Sequence, residues 1–295
     1  MSLKIVDITA AVKLNLNLQV LGRKPNGYHI VSGLFVFTDF GDKLSFVQSD
    51  TFSLTIKGEF AAALGNPQDT LPNNSIYLAA KALSDAAGVS CSADVVLDKK
   101  IPVAAGCGGG TADAAATLKG LMKLWDVELA DEKLQRILPT LGSDVPACYV
   151  SKSVMVGGCG EVIRPAPVLP HNIPVLLINP RKLVPTKRVF DLCAENPDCY
   201  SKKVFVFKDA YENIKELAED LRKTGNDLAA AAEKICPEIT TILRVLQTKG
   251  CLYASVSGSG ATCFALFEAE SDLHKAAVEI RESYPQWWLC ETFIP

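Results

Sequence analysis

Gly106, Gly108, Gly109 and Gly110 fall within five positions and are followed at once by Thr111 and the run "ADAAATLKGLMKLW". Backbone N–H groups in the first turn of a helix have no intrahelical acceptor and lie at the positive end of the helix dipole, so they form a ready anion site. Glycine lets the chain take positive φ there and lets a phosphate approach the backbone without meeting a Cβ. Thr111, read as the cap of the helix, adds a hydroxyl that can face a phosphate or its metal. The chemistry this stretch predicts is phosphate binding. A Walker A loop is excluded, because it needs G-x-x-x-x-G-K-[ST] and the dipeptide Gly-Lys occurs nowhere in the chain. A dinucleotide fingerprint fails as well: counting G-x-G-x-x-G from Gly106 puts Thr111 at the third glycine. Elsewhere, Asp144 stands in "LGSDVP" and Lys13 in "VKLNLNLQVLG". Taken singly, the first reads as a turn or cap residue and the second as a solvated strand residue.

These residues need elements to hold them. In "VKLNLNLQVLG" the apolar Val12, Leu14, Leu16, Leu18 and Val20 alternate with Lys13, Asn15 and Asn17, the period-two pattern of a half-buried strand with the polar side chains on its open face. "GRKPNGYH" follows as a loop, and "IVSGLFVFTDFGDKLSFV" and "TFSLTIKG" read as strands. Residues 74–87 turn helical, with Asn73 or Asn74 as N-cap, and "SADVVLDKK" is again a strand. From Thr111 the apolar Ala115, Leu118, Leu121, Met122 and Trp125 recur at helical spacing, so the glycines link a strand to an amphipathic helix. A shorter helix over 131–140, a loop through "LGSDVP" and two short strands around a glycine turn in "VMVGGCGEVIRP" complete the first part. The proline-rich "RPAPVLPHNIP" marks a boundary, giving domains over 1–168 and 169–295. Beyond it come a buried strand, "VLLINP", helical stretches over 210–223 and 226–249, and two strands joined by a glycine turn in "LYASVSGSGATCFALFE".

Composition narrows the class. The 295 residues are 48% hydrophobic, and 30 Lys+Arg against 33 Asp+Glu give a net charge of −3, without the basic excess that a non-specific nucleic-acid or membrane-surface binder needs. Any anion must be held by local geometry. Ten cysteines, from Cys91 to Cys290, show no C-x-x-C pair and read as reduced thiols filling core slots. The N-terminus, charged at Lys4, Asp7 and Lys13, is unlike a secretory signal, and no run approaches a membrane span. A cytoplasmic address is expected, with a small-molecule substrate and neither nucleic acid nor membrane as partner.

The string from Pro102 to Ala115 resembles the ATP-binding motif of the GHMP kinases, and "KLNLNLQVLGRKPNGYH", "LGSDVP", "GNDL" and "SVSGSGATCFALF" occur with it in the family's order. The resemblance spans nearly the whole chain. It implies an α+β, two-domain fold: an N-terminal β-α domain of ribosomal protein S5 domain 2-like architecture carrying the loop, and a C-terminal ferredoxin-like domain, with ATP and substrate meeting in a cleft between them. The pairing of K-L-N with G-Y-H is similar to the members that transfer the γ-phosphoryl group of ATP to the tertiary 2-hydroxyl of a cytidine diphosphate-linked methylerythritol, in the non-mevalonate route to isoprenoid precursors. It implies Lys13 and Asp144 as catalytic residues, with Asp144 orienting the hydroxyl and accepting its proton late and Lys13 keeping that carboxylate ionised. Asn15, Tyr28, His29 and Phe190 would bind the substrate, Tyr28 and Phe190 forming an aromatic sandwich around the cytosine. Pro102, Ala104, Ala105, Gly106, Gly108, Gly109, Gly110 and Thr111 would hold the phosphates, with Asn74, Lys99 and Thr186 around the adenosine and Mg2+ at Thr111. A monomer or weak homodimer is expected.

The loop departs from the family's more usual G-G-G-L-G-G-G-S-S at Ala104, Ala105, Cys107, Thr111 and Ala112. Thr111 keeps a hydroxyl and Ala112 does not. Cys107, beside a helix N-terminus, is expected to be an oxidation-sensitive thiol. The alternatives are another small-molecule GHMP kinase, of homoserine or mevalonate type, and a catalytically silent ligand-binding regulator. The base-binding "GYH" discriminates the first, and the joint presence of Lys13 and Asp144 speaks against the second.

Overall fold

The computed structural model of the chain describes residues 4–295; Met1–Leu3, where the expected N-terminal domain begins, lie outside the described residues. Two compact units are present, and neither is contiguous in sequence. The first comprises residues up to 12, 40–103 and 108–151; the second comprises 13–39, 104–107 and 152–295.

Strand β1 (Ile5–Asn15) leads to β2 (Gln19–Arg23) and the long β3 (His29–Val47). In the first unit the end of β3 pairs antiparallel with β5 (Ala93–Asp98), from Lys43 opposite Asp98 to Val47 opposite Asp94. Strand β4 (Phe52–Lys57) lies parallel to β5. After the single turn α1 (Pro67–Thr70), helix α2 (Ser75–Ala87) starts where Asn74 accepts the Ile76 N–H on its side chain, and buries Ile76, Ala79, Ala80 and Leu83. Helix α3 (Gly109–Trp125) follows the glycine loop, then α4 (Asp131–Leu141) and α5 (Val145–Val150). The "LGSDVP" loop is thus shorter than expected: the helix begins directly after Asp144, with Pro146 in its first turn, where its missing N–H costs nothing.

In the second unit the start of β3 pairs with β2 and with β6 (Val154–Gly157), which pairs with β7 (Val162–Pro165). A separate four-stranded antiparallel sheet has the order β11-β8-β10-β9, formed by β8 (Ile173–Asn179), β9 (Tyr253–Val256), β10 (Cys263–Leu266) and β11 (Trp288–Ile294). Numbered within the sheet this is 4-1-3-2, the ferredoxin-like order. Every residue of β8 is buried, so its unbroken apolar run is that of a central strand. Helices α6 (Thr186–Ala194), α7 (Ile214–Thr224), α8 (Ala229–Ile235) and α9 (Glu238–Gln247) lie between β8 and β9 in the chain, and α10 (Glu270–Ser283) between β10 and β11. The helical stretch expected over 226–249 is broken at Cys236 and Pro237, because proline has no N–H to continue the first helix.

Three expectations are corrected here. The first strand is not half-buried: Lys13, Asn15 and Asn17 are 1–3% exposed, as deeply placed as the leucines between them, and regular strand stops at Asn15. Their polar atoms are satisfied inside the protein; Asn17 accepts the Leu34 N–H and donates to Thr224 Oγ1. Second, Cys193 and Cys199 form a disulfide, so not all ten cysteines are thiols. Cys107, Cys148, Cys236, Cys263 and Cys290 are buried as core-filling thiols, and burial pushes Cys236 up to about 11 and Cys290 up to about 12. Third, Cys107 is only 1% exposed and therefore lacks the access that an oxidation-sensitive thiol needs.

Candidate active site

The glycine loop is coiled by alternating left-handed residues: Ala104 at φ 52°, Gly106 at 75° and Gly108 at 65°. In the second unit its carbonyls are taken up one after another. Thr262 N–H donates to Ala105 O at 3.0 Å, Ser257 Oγ to Gly106 O at 3.0 Å, and Lys13 N–H to Cys107 O at 3.2 Å. A Cβ on Gly106 would stand 2.3 Å from the Ser257 carbonyl oxygen, so only glycine fits at this approach.

The same unit gathers several residues implied by the resemblance. Lys13 Nζ donates to Asn15 Oδ1 at 2.8 Å and lies 4.6 Å from the centre of the Phe35 ring. Asn15 N–H donates to Ser257 Oγ, and Thr186 Oγ1 is 2.9 Å from Ser259 Oγ. Lys13, Asn15, Thr186 and the loop are therefore brought together around Ser257–Gly260. Asn226 holds that segment in place, donating from Nδ2 to the carbonyls of Val256 and Gly258. Ser257, Ser259 and Asn226 are functional candidates that residue-by-residue reading missed; their signal was the strings "SGSG" and "GND", which carry no chemistry until the fold closes them on the loop.

In the first unit, α3 begins at Gly109 with Gly108 as its N-cap. Thr111 is not the cap that was expected. It lies in the first turn, where its Oγ1 donates to Gly108 O at 2.8 Å and accepts the Cys148 thiol at 3.7 Å. A Cβ on Gly142 would stand 3.1 Å from Thr111 Cγ2, so the "GSD" turn lies against the start of α3. Asp144 precedes α5 but makes no side-chain hydrogen bond to its amides. Asn74 uses its Oδ1 as the cap of α2 at 2.9 Å from Ile76 N. Lys99 departs from expectation. Instead of presenting its ammonium to an adenosine it is 2% exposed, paired with Asp42 and Asp113, because a buried ammonium needs counter-charges more than a ligand.

At the "NGYH" turn, Gly27 at φ 88° reverses the chain. Tyr28 is 62% exposed, presenting a free ring face. His29 stacks on Phe190 with ring centres 4.7 Å apart. Burial, then the nearby Arg23, hold His29 below the usual histidine range against the pull of Asp191, which keeps the imidazole neutral. Its Nε2 is buried with no hydrogen-bond partner, and Tyr28, His29 and Phe190 together make an aromatic site with one unanswered polar atom.

Among the described residues no group of three or more His, Cys, Asp or Glu side chains could hold a metal ion. Thr111 Oγ1 is a neutral oxygen in the first turn of α3, a donor type that a hard divalent cation takes.

Comparison with known proteins decides the family. The GHMP kinases N terminal domain matches residues 74–152, and the GHMP kinases C terminal domain matches 206–286. The 4-diphosphocytidyl-2-C-methyl-D-erythritol kinase of Rhodospirillum rubrum is 40% identical over 285 residues, covering 95% of this chain and 89% of that protein. The enzyme of the same name from Parvibaculum lavamentivorans is 40% identical, covering 96% of each. This chain belongs to the GHMP kinases. It is an ATP-dependent small-molecule kinase, and the two-domain GHMP fold is confirmed by a crystal structure of 4-(cytidine 5'-diphospho)-2C-methyl-D-erythritol kinase, which superimposes with a TM-score of 0.77 at 27% identity over 98% of this chain and 99% of that one. A Methanococcus jannaschii mevalonate kinase shares the fold at a TM-score of 0.68 but only 14% identity.

Proposed function

We propose that this GHMP kinase transfers the γ-phosphoryl group of ATP to the 2-hydroxyl of 4-diphosphocytidyl-2-C-methyl-D-erythritol. The observation that carries the choice of acceptor is the aromatic site: a neutral His29 with a buried, unanswered nitrogen, stacked on Phe190 beside the open ring of Tyr28. A pyrimidine offers a flat face for Tyr28 and Phe190 and a polar edge for His29. Homoserine and mevalonate offer neither.

Phosphoryl transfer through a loose transition state asks the protein mainly to position the nucleophile and neutralise charge. The N–H groups of Gly108–Thr111 and those of 104–107 would take the triphosphate, with Asn74, the Lys99 backbone and Thr186 toward the nucleoside. Magnesium, held by Thr111 Oγ1 and the phosphates, would offset charge on the transferring group. Asp144, whose carboxylate is not engaged as a helix cap, orients the acceptor hydroxyl and takes its proton late in the transfer. Lys13, with Asn15 at its ammonium, stabilises the negative charge, and Asn15 also contacts the acceptor. Among the described residues no helix is long and apolar enough to cross a membrane; the reading includes a cytoplasmic enzyme, monomeric or weakly dimeric.

The test is ATP consumption with 4-diphosphocytidyl-2-C-methyl-D-erythritol, homoserine and mevalonate offered separately. Turnover with the first alone is expected. Comparable turnover with either of the others would overturn the acceptor assignment.

A further inference from the structure

Under the first turn of α3 lies a buried charge cluster that phosphate binding, as described so far, does not use. Lys99 follows β5, Asp42 stands in β3 and Asp113 in α3, and all three are at most 3% exposed. Lys99 Nζ is 2.5 Å from Asp42 Oδ2 and 2.8 Å from Asp113 Oδ2. The other oxygen of Asp42 accepts the N–H groups of Lys100 at 2.6 Å and Ile101 at 2.9 Å. The other oxygen of Asp113 is buried with no hydrogen-bond partner, so its hold on the cluster runs through Oδ2. A Cβ on Gly109 would come within 3.0 Å of Lys99 Nζ, which puts the ammonium directly against the helix N-terminus.

This is a costly arrangement. The helix dipole opposes a cation at that end, and apolar residues of similar volume often stabilise a fold as well as a buried ion cluster does. What the cluster supplies instead is geometry. Asp42 fixes the segment that enters the glycine loop, Asp113 belongs to the helix that leaves it, and Lys99 joins the two.

We infer that Asp42, Lys99 and Asp113 are positioning residues for ATP: they clamp the entry of the glycine loop to the first turn of α3 and so hold the amides of Gly109, Gly110 and Thr111 in the arrangement that receives the triphosphate. The inference rests on the loop being the phosphate site.

Two variants test it. Asp113→Asn keeps the shape of the side chain and leaves Lys99 paired one to one with Asp42. The double variant Lys99→Met with Asp113→Asn removes the link altogether and leaves Asp42 on its two backbone amides. In steady-state kinetics with each substrate varied separately, KM for ATP should rise about 10-fold, the order expected for loss of one charge-assisted contact, while the acceptor KM and kcat stay within about two-fold. A cluster that serves stability alone would lower Tm and leave KM for ATP unchanged, or move both KM values together; either result overturns the inference, as does failure of both variants to fold. Gly110→Asp separates this from the loop reading. It sets a carboxylate on the anion surface at a position with room for it, the nearest group to the added Cβ being Ser75 Oγ at 3.7 Å. Undiminished ATP binding by Gly110→Asp would remove the loop as phosphate site and the clamp's role with it. Lost binding there, together with an unchanged KM for ATP in Asp113→Asn, would sink the clamp alone.

Discussion

Asp144 stands at the entrance of α5, where an aspartate would ordinarily cap the helix, yet its carboxylate makes no hydrogen bond to those amides. Replacing it by asparagine should therefore leave the start of the helix in place. Asp144→Asn is expected to bind ATP within a few-fold of the parent and to lose about 10²–10⁴ in kcat, the usual contribution of a positioned acid or base; single-turnover kinetics near the parent rate would remove Asp144 from the mechanism. Tyr28 projects its ring into solvent, so Tyr28→Ala deletes a stacking face and little packing. At about 1–3 kcal/mol per stacked base, the acceptor KM should rise by about 5- to 150-fold with KM for ATP unmoved, and equal effects on both would refute the assignment. His29 adds a pH signature. Its pKa is held low by burial and by Arg23, so the folded state resists charging it, and both stability and base recognition are retained above the ordinary histidine value and lost as pH falls below it. The acceptor KM should be flat from pH 8 to about 6.5 and rise in more acid buffer, a rise that His29→Gln abolishes.

At the scale of elements, the strand–loop–helix unit was legible because its signals are local. Clustered glycines before a 3.6-period run specify a helix start whatever surrounds them, and Asn74 before α2 specifies another. The loop also shows where this chain departs from ideal chemistry. Ala104 occupies a left-handed conformation, which costs a residue with a Cβ about 1–2 kcal/mol, partly offset by the greater unfolded-state freedom of glycine. Ala104→Gly should raise the unfolding free energy by about 0.5–1 kcal/mol, measured by denaturant titration; a loss of stability would show that the alanine methyl is packed rather than strained. The Cys193–Cys199 clip joins α6, the helix that carries Phe190, to the turn after it. Cys199→Ser should cost about 2 kcal/mol on the chain-entropy account of a short closed loop, with peptide mapping of the alkylated parent protein recovering the linked pair. The disulfide escaped sequence reading because a spacing of six residues carries no signature; only the turn after α6 returns one sulfur to the other.

At the scale of the whole molecule, the order 4-1-3-2 in the second sheet and the near-complete overlap with relatives of one name agree with the fold class that the motifs implied. The sequence by itself determined the family and the strand–glycine loop–helix unit, because periodicity, glycine spacing and caps are properties of neighbours along the chain; α6, α10 and β11 carried no such local signal and were not read from it. What only the tertiary structure decided concerns groups far apart in sequence. Lys13, Asn15 and Asn17 read as an open polar face and are buried, since whether a strand's second face is wet depends on what packs on it; here the loop carbonyls, Ser257 and Thr224 do. Lys99, which the resemblance implied lies around an adenosine, is the centre of an ion cluster, since Asp42 lies 57 positions away in the chain and no local pattern couples them. The interleaving of the two compact units has the same cause: burial and ion pairing are set by distance in space, and a chain records only distance along itself.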